Sequence, residues 1–253
     1  EMPFSDWYTD VIESYIGKSA DKMQERYGNL MTNSEIEEGI DFINRHFFTI
    51  YPSEDQTLEQ ILKRFSYLVR KKNIDTIVID PYNQIQHQMN NGEREDLYIS
   101  RFMTQLKKFA VDHDVAVHLV AHQVTPVFNK NENYPEPNLY KIKGGGTFAD
   151  KADNVVLVWR EFRNTDQSNP DVTFISQKIK KQKLVGTPGR TIVQYDRRSN
   201  RYVYNGESPL SRYRLVENQS EPTGQLKPNY QFESNTLTDE DKYDENGNYI
   251  VPF

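Results

Sequence analysis

The sequence predicts an α/β protein: a doubly wound, mostly parallel sheet flanked by helices, with an antiparallel β edge toward its C-terminal end. Two observations predict the core. Asp75 to Asp80 is an uninterrupted β-branched run and Val115 to Ala121 a second apolar run, the pattern of strands buried on both faces of a parallel sheet. Between them Ile99, Phe102, Met103, Leu106 and Phe109 recur at helical spacing, which makes the connection a helix. The edge is predicted by Thr191 to Tyr195, hairpinned onto Arg201 to Tyr204 after a strand from Val172 to about Ile179.

The remaining elements follow in order. Ser5 or Asp6 can cap a helix to Ile16 that places Trp7, Val11, Ile12 and Tyr15 on one face, and Gly17 ends it. A second amphipathic stretch runs to Tyr27 and Gly28. Ser34 with Glu37 three residues on has the capping-box spacing for a helix to about Arg45. Phe47 to Tyr51 reads as a short strand closed by Pro52, and Thr57 opens a helix carrying Leu58, Ile61, Leu62, Phe65, Leu68 and Val69 in register. A glycine-rich turn, Lys143 to Thr147, precedes a third strand, Asn154 to Trp159. Beyond Gly206 periodicity vanishes and Ser, Pro, Asn, Gln and acids dominate. Residues 205–253 are therefore expected to form a flexible acidic tail, with Tyr249-Ile-Val-Pro-Phe253 as a candidate linear motif.

Charge is unevenly spread. The net charge of −6 argues against a uniformly basic nucleic-acid coat, yet from Lys178 to Arg201 eight basic residues stand against one acid. From Asn205 to Phe253 nine acids stand against four bases. There is no cysteine, so disulfides and thiolate metal sites are excluded. No apolar run is long enough to span a membrane, and Glu1-Met-Pro-Phe4 is neither a signal nor a transit peptide; it reads as a fragment boundary.

Asp80 ends an apolar strand, and Pro81, lacking an N–H, stops the ladder there. A carboxylate at such a strand tip is placed to hold the water shell of a nucleotide's Mg²⁺; an Asp that merely caps the next turn has the same local sequence. The Val115 strand also ends in polar groups, His122 and Gln123, either of which can sense a γ-phosphate by hydrogen bonding or simply begin a loop. His118, inside that strand, reads as a buried, satisfied histidine. Gly144, Gly145 and Gly146 allow close backbone approach to phosphates, or make a flexible connection. Gly17-Lys18-Ser19 follows a helix and lacks the upstream glycine of a phosphate-binding loop, so no such loop is present. Lys178 and Lys180 share one strand face and lead into Lys181 and Lys183. This is a cationic hand for phosphates or a solvated edge that discourages aggregation.

Taken in order, these pieces resemble the motor domain of the DnaB-like hexameric replicative helicases, in particular the phage primase–helicase and Twinkle branch, over about Glu1 to Tyr204. The resemblance implies a RecA-like P-loop NTPase core over residues 1–204, with the Walker A strand and loop expected just before Glu1. It also implies roles. Glu1 would be the catalytic base, Asp80 the Walker B aspartate, and His122 or Gln123 the γ-phosphate sensor. Lys143, Gly144, Gly145, Gly146, Thr147 and Lys151 would contact DNA. Lys178 and Lys180 stand where the family has Lys-x-Arg, whose arginine reaches the neighbouring subunit's ATP. A lysine cannot make that planar bidentate contact, so Lys181 or Lys183 could share it. Implied with these are ATP and Mg²⁺ as cofactors, single-stranded DNA as partner, a homo-oligomeric, hexameric ring, a primase and other replisome proteins, and a bacterial or phage-infected cytoplasm. A RecA-like recombinase and a degenerate, non-catalytic DNA-binding scaffold are the alternatives.

Overall fold

The computed structural model describes residues 4–50, 57–127, 129, 131–142, 146–211, 213 and 214. Two compact units result: one holds the described residues of Glu1–Thr49, Asp166–Thr173 and Ile192–Thr236, the other those of Ile50–Thr165 and Phe174–Thr191.

In the first unit, α1 (Phe4–Ile16) and α2 (Asn33–His46) bury Ile12, Tyr15, Ile16, Ile40, Phe42 and Ile43 against each other. The Tyr15 and Phe42 rings stack at 3.9 Å. Gly39 permits the close approach: a Cβ there would lie 2.6 Å from Ile12 Cγ2. Gly17 ends α1 with φ of 83°, and Arg201 donates to the carbonyls of Ser14 and Tyr15, each at 2.6 Å, satisfying the last turn. The expected capping box at Ser34 and Glu37 is displaced by two residues. Thr32 and Glu35 form it, and Glu35 is further fixed by Lys18 at 2.7 Å, an anchor that Glu37 lacks. The stretch to Tyr27 is a 3-10 turn (Lys22–Tyr27) with no buried residue, capped by Asp21 and Gly28. No strand forms over 47–50; Phe47 instead caps α2 and packs edge-on against Trp7.

The second unit contains α3 (Leu58–Lys72), capped by Thr57 as expected, then β1 (Thr76–Ile79), α4 (Glu95–His113) and β2 (Ala116–Leu119). β1 and β2 are parallel, in the register Thr76↔Ala116 to Ile79↔Leu119. Ile77 and Ile79 join Leu58, Ile99, Phe102, Leu106 and Phe109 in one core. The other face departs from expectation. Val78 is 57% exposed, and His118, expected to be buried, is exposed too. Among the described residues, helices cover one face of this pair, and β-branching in the sequence cannot say which face goes uncovered. α5 (Thr147–Lys151) leads into β3 (Asn154–Trp159), and Ala149, Val155, Leu157 and Ile175 form a smaller core.

β3, β4 (Asp171–Ile179), β5 (Gly189–Asp196) and β6 (Arg201–Val203) make a second sheet in that order, its β5–β6 end antiparallel as expected. A short helix, α6 (Gln182–Val185), interrupts the basic turn after β4. Within the stretch expected to be tail, Arg214 makes a two-point ion pair with Glu38 at 2.7 Å. Among the described residues no helix is long and apolar enough to cross a membrane.

Candidate nucleotide site

Parallel pairing of β1 with β2 puts the residues that follow both strands at one sheet edge. Asp80 lies there, exposed, and its neighbour Tyr82 turns back to bond β2: Val120 N donates to Ile79 O at 2.9 Å and Tyr82 N to Val120 O at 2.8 Å. Asp80 and the His122–Gln123 pair are thereby held at adjacent strand ends. Among the described residues no three Asp, Glu or His side chains converge as a metal cage. A lone exposed carboxylate nevertheless fits Mg²⁺, which keeps several waters and takes its remaining ligands from phosphates.

His122 is exposed, whereas Gln123 is engaged. Its amide donates to Asn138 O at 2.9 Å and accepts from Asn138 N at 3.3 Å. Val124 N also donates to Lys141 O at 2.9 Å, and Gln123 bridges Ile142. The polar end of β2 is thus tied to the segment just before the glycine turn. Of that turn, Lys143, Gly144 and Gly145 lie outside the described residues, as does Glu1. Gly146 starts α5 at an ordinary φ of −65°, with Thr147 part-buried and Lys151 exposed.

Lys178 and Lys180 both turn toward the α5–β3 junction. Lys178 Nζ donates to Ala149 O at 2.6 Å and Asp150 O at 3.0 Å, a cation on the last carbonyls of α5. Lys180 Nζ donates to one Asp153 oxygen at 2.8 Å while Lys107 pairs with the other. Lys181 and Lys183 are exposed in the turn around α6. The structure therefore brings the Gly146–Lys151 segment together with Lys178 and Lys180, and Asp80 together with the end of β2. Lys183 joins neither group.

Sequence reasoning passed over Asp153, Asn138, Tyr82 and Phe148. Asp153 sits among ordinary helix-end residues, and nothing local marks it as the partner of two distant lysines. Those lysines hold its carboxyl below the usual aspartate value, Lys107 contributing most and Lys180 next. A depressed folded-state value stabilises the fold above the unfolded pKa, and the contribution disappears as pH falls through the folded one. For a partly exposed cluster, screening limits this to about 0.2–1 kcal/mol. Urea midpoints followed from pH 6 downward should therefore fall less steeply in Asp153→Asn than in the unsubstituted chain. Parallel curves would remove the cluster's role.

Asp80 after β1 and the His122–Gln123 pair after β2 stand at one parallel sheet edge of an α/β core, where open α/β sheets bind their ligands. Residues 1–203 match the family model described as DnaB-like helicase C terminal domain, and the chain belongs to that family. It is 31% identical over 183 residues to the Twinkle homolog protein, chloroplastic/mitochondrial, of Arabidopsis thaliana, covering 72% of this chain and 25% of that protein. The chain thus spans about a quarter of that relative's length. Its fold is similar to a solved ATPase domain (TM-score 0.60, 17% identity, 80% of this chain and 71% of that one). It is also similar to a structure of a DnaB-like replicative helicase and its interactions with primase (TM-score 0.62, 18% identity, 80% and 48%).

Proposed function

We propose that this chain is motor-domain sequence of an ATP-driven replicative DNA helicase that translocates on single-stranded DNA as a ring, in a bacterial or phage-infected cytoplasm. The observation that carries the reading is the continuous connection from Asp80 and the β2 end, through the Gln123–Asn138 bonds, to the segment that runs into the glycine turn and α5. Such a connection can pass the occupancy of a phosphate site to a DNA contact. Asp80 would hold the water shell of Mg²⁺, which supplies charge neutralisation on the phosphates. Exposed His122 is the better-placed γ-phosphate sensor, since the Gln123 amide is already committed to Asn138. Glu1 is proposed as the base that polarises water. Thr147, Lys151 and the preceding Lys143 to Gly146 would contact DNA phosphates, which carry little sequence information. Lys180, or exposed Lys181 or Lys183, would act on a neighbouring subunit's ATP, and a primase is a proposed partner.

The second reading is a non-catalytic scaffold. It is favoured by one observation: Lys180, at the finger position, is already ion-paired with Asp153. The discriminating experiment is strand displacement from a forked duplex by the full-length protein that carries this chain. ATP-dependent displacement is expected, and its absence with intact DNA binding leaves the scaffold. A filament on DNA in place of a ring would indicate a recombinase. The chain alone contains no glycine-Lys-Ser/Thr phosphate loop at the required spacing. In isolation it is expected neither to bind ATP tightly nor to hydrolyse it, and micromolar affinity in a nucleotide titration would contradict this.

A further inference from the structure

Tyr82 occupies a position that the connection through Gln123 does not explain. It follows Asp80 by two residues, is 6% exposed, and is bonded through its backbone to the end of β2. Its ring meets Phe148 edge-on at 5.0 Å and 84°, and meets Phe102 of α4 at 5.1 Å and 86°. Phe148 is the second residue of α5 and is 3% exposed. Lys151, the α5 residue with an exposed cation, lies one helical turn further on. The far end of α5 is fastened separately by Lys178. A rigid, edge-packed aromatic pair transmits a displacement where a flexible aliphatic contact would absorb it, because interiors are close-packed and aromatic rings have few rotamers.

We propose that Tyr82 and Phe148 are positioning residues that couple the Asp80 turn to α5, so that a shift of the magnesium-holding turn moves the DNA-contacting helix, and DNA on that helix acts back on the turn. The reciprocity follows from linkage. The inference rests on the motor reading above and adds to it a second route between the two sites, separate from the polar one through Gln123. Burial alone would make the pair ordinary core, so the test must separate coupling from folding.

The experiment measures ATP hydrolysis by the full-length protein with and without single-stranded DNA, for Phe148→Leu, Tyr82→Leu and Tyr82→Phe, with thermal unfolding of each. Phe148→Leu and Tyr82→Leu are expected to keep DNA-free hydrolysis within about twofold and to lose most of the DNA stimulation, falling about fivefold or more. Tyr82→Phe retains the ring and should retain the stimulation. Full stimulation in Phe148→Leu overturns the inference while leaving the motor reading standing. So does equal loss in Tyr82→Phe and Tyr82→Leu, or a parallel fall of both rates with a lowered unfolding temperature. An unsubstituted protein whose hydrolysis ignores DNA overturns the motor reading itself, and this inference with it.

Discussion

Replacing Asp80 by Asn in the full-length protein should lower ATP hydrolysis about 100-fold or more while leaving the fold intact. The magnitude is that of removing one preorganised charged group from a reaction whose catalysis is mostly electrostatic. Asn keeps the shape of the side chain but replaces one acceptor oxygen with an NH2 donor and loses the negative charge that favours a divalent cation. Stability should change by no more than about 0.5 kcal/mol, because Asp80 is exposed at a strand tip, away from the core. The pair of measurements is hydrolysis rate and urea midpoint. An unchanged rate removes Asp80 from the chemistry and returns it to the role of a turn residue. A lowered midpoint would mean that the carboxylate holds the turn.

Phe102→Ala should do the opposite, destabilising its unit by about 3–5 kcal/mol. Phe102 is 1% exposed on the face of α4 that also buries Ile99 and Leu106. Its ring meets Tyr82 edge-on at 5.1 Å and lies 6.2 Å from Tyr98. Truncation removes the transfer free energy of the ring and leaves a cavity in the buried cluster that Phe102 shares with Ile77, Ile79, Tyr82 and Ile99, which close packing keeps from collapsing fully. Domains commonly have about 5–15 kcal/mol in total, so this one change should take a large share. Urea unfolding of the isolated chain measures it directly, and a loss below about 1 kcal/mol would show that the site repacks. Burial of the Tyr82 phenol, helped by Tyr98 and Glu95, pushes its pKa well above the usual tyrosine range. The ring that Phe102 supports therefore stays neutral at all ordinary pH.

The sequence made the two parallel strands, the α4 register and the C-terminal hairpin legible, because each is declared by local periodicity over several residues. The N-caps of α2 and α3 were legible to within two residues, whereas Ser5 and Asp6, expected to cap α1, lie inside it. Thr57 stood out alone, whereas Thr32 and Ser34 each have an acid three residues on, and only the reach of Lys18 to Glu35 separates them. The strand expected at Phe47 failed for a tertiary reason: with Trp7 and Phe42 available, its ring packs onto the helical pair and no described strand adjoins it. His118 was misplaced for a related one. A central position in an apolar run implies burial only when both sheet faces are covered.

On its own, the sequence determined which polar groups accompany which strands: an acid after one apolar strand, a His–Gln pair after the next, and lysines alternating onto one face of a later strand. Strand periodicity shows which residues share a face and which groups follow a strand's end, so their order along the chain was enough to suggest the family. Tertiary structure alone decided who holds whom. Gln123 is committed to Asn138, Lys180 to Asp153 with Lys107, Lys178 to the end of α5, and Tyr82 to Phe148. The nearest of these partners, Gln123 and Asn138, lie 15 positions apart in the chain, and the others lie farther. Contacts at such separations arise from packing, whose specificity comes from shape and the satisfaction of buried polar groups, and neither leaves a local mark on the sequence.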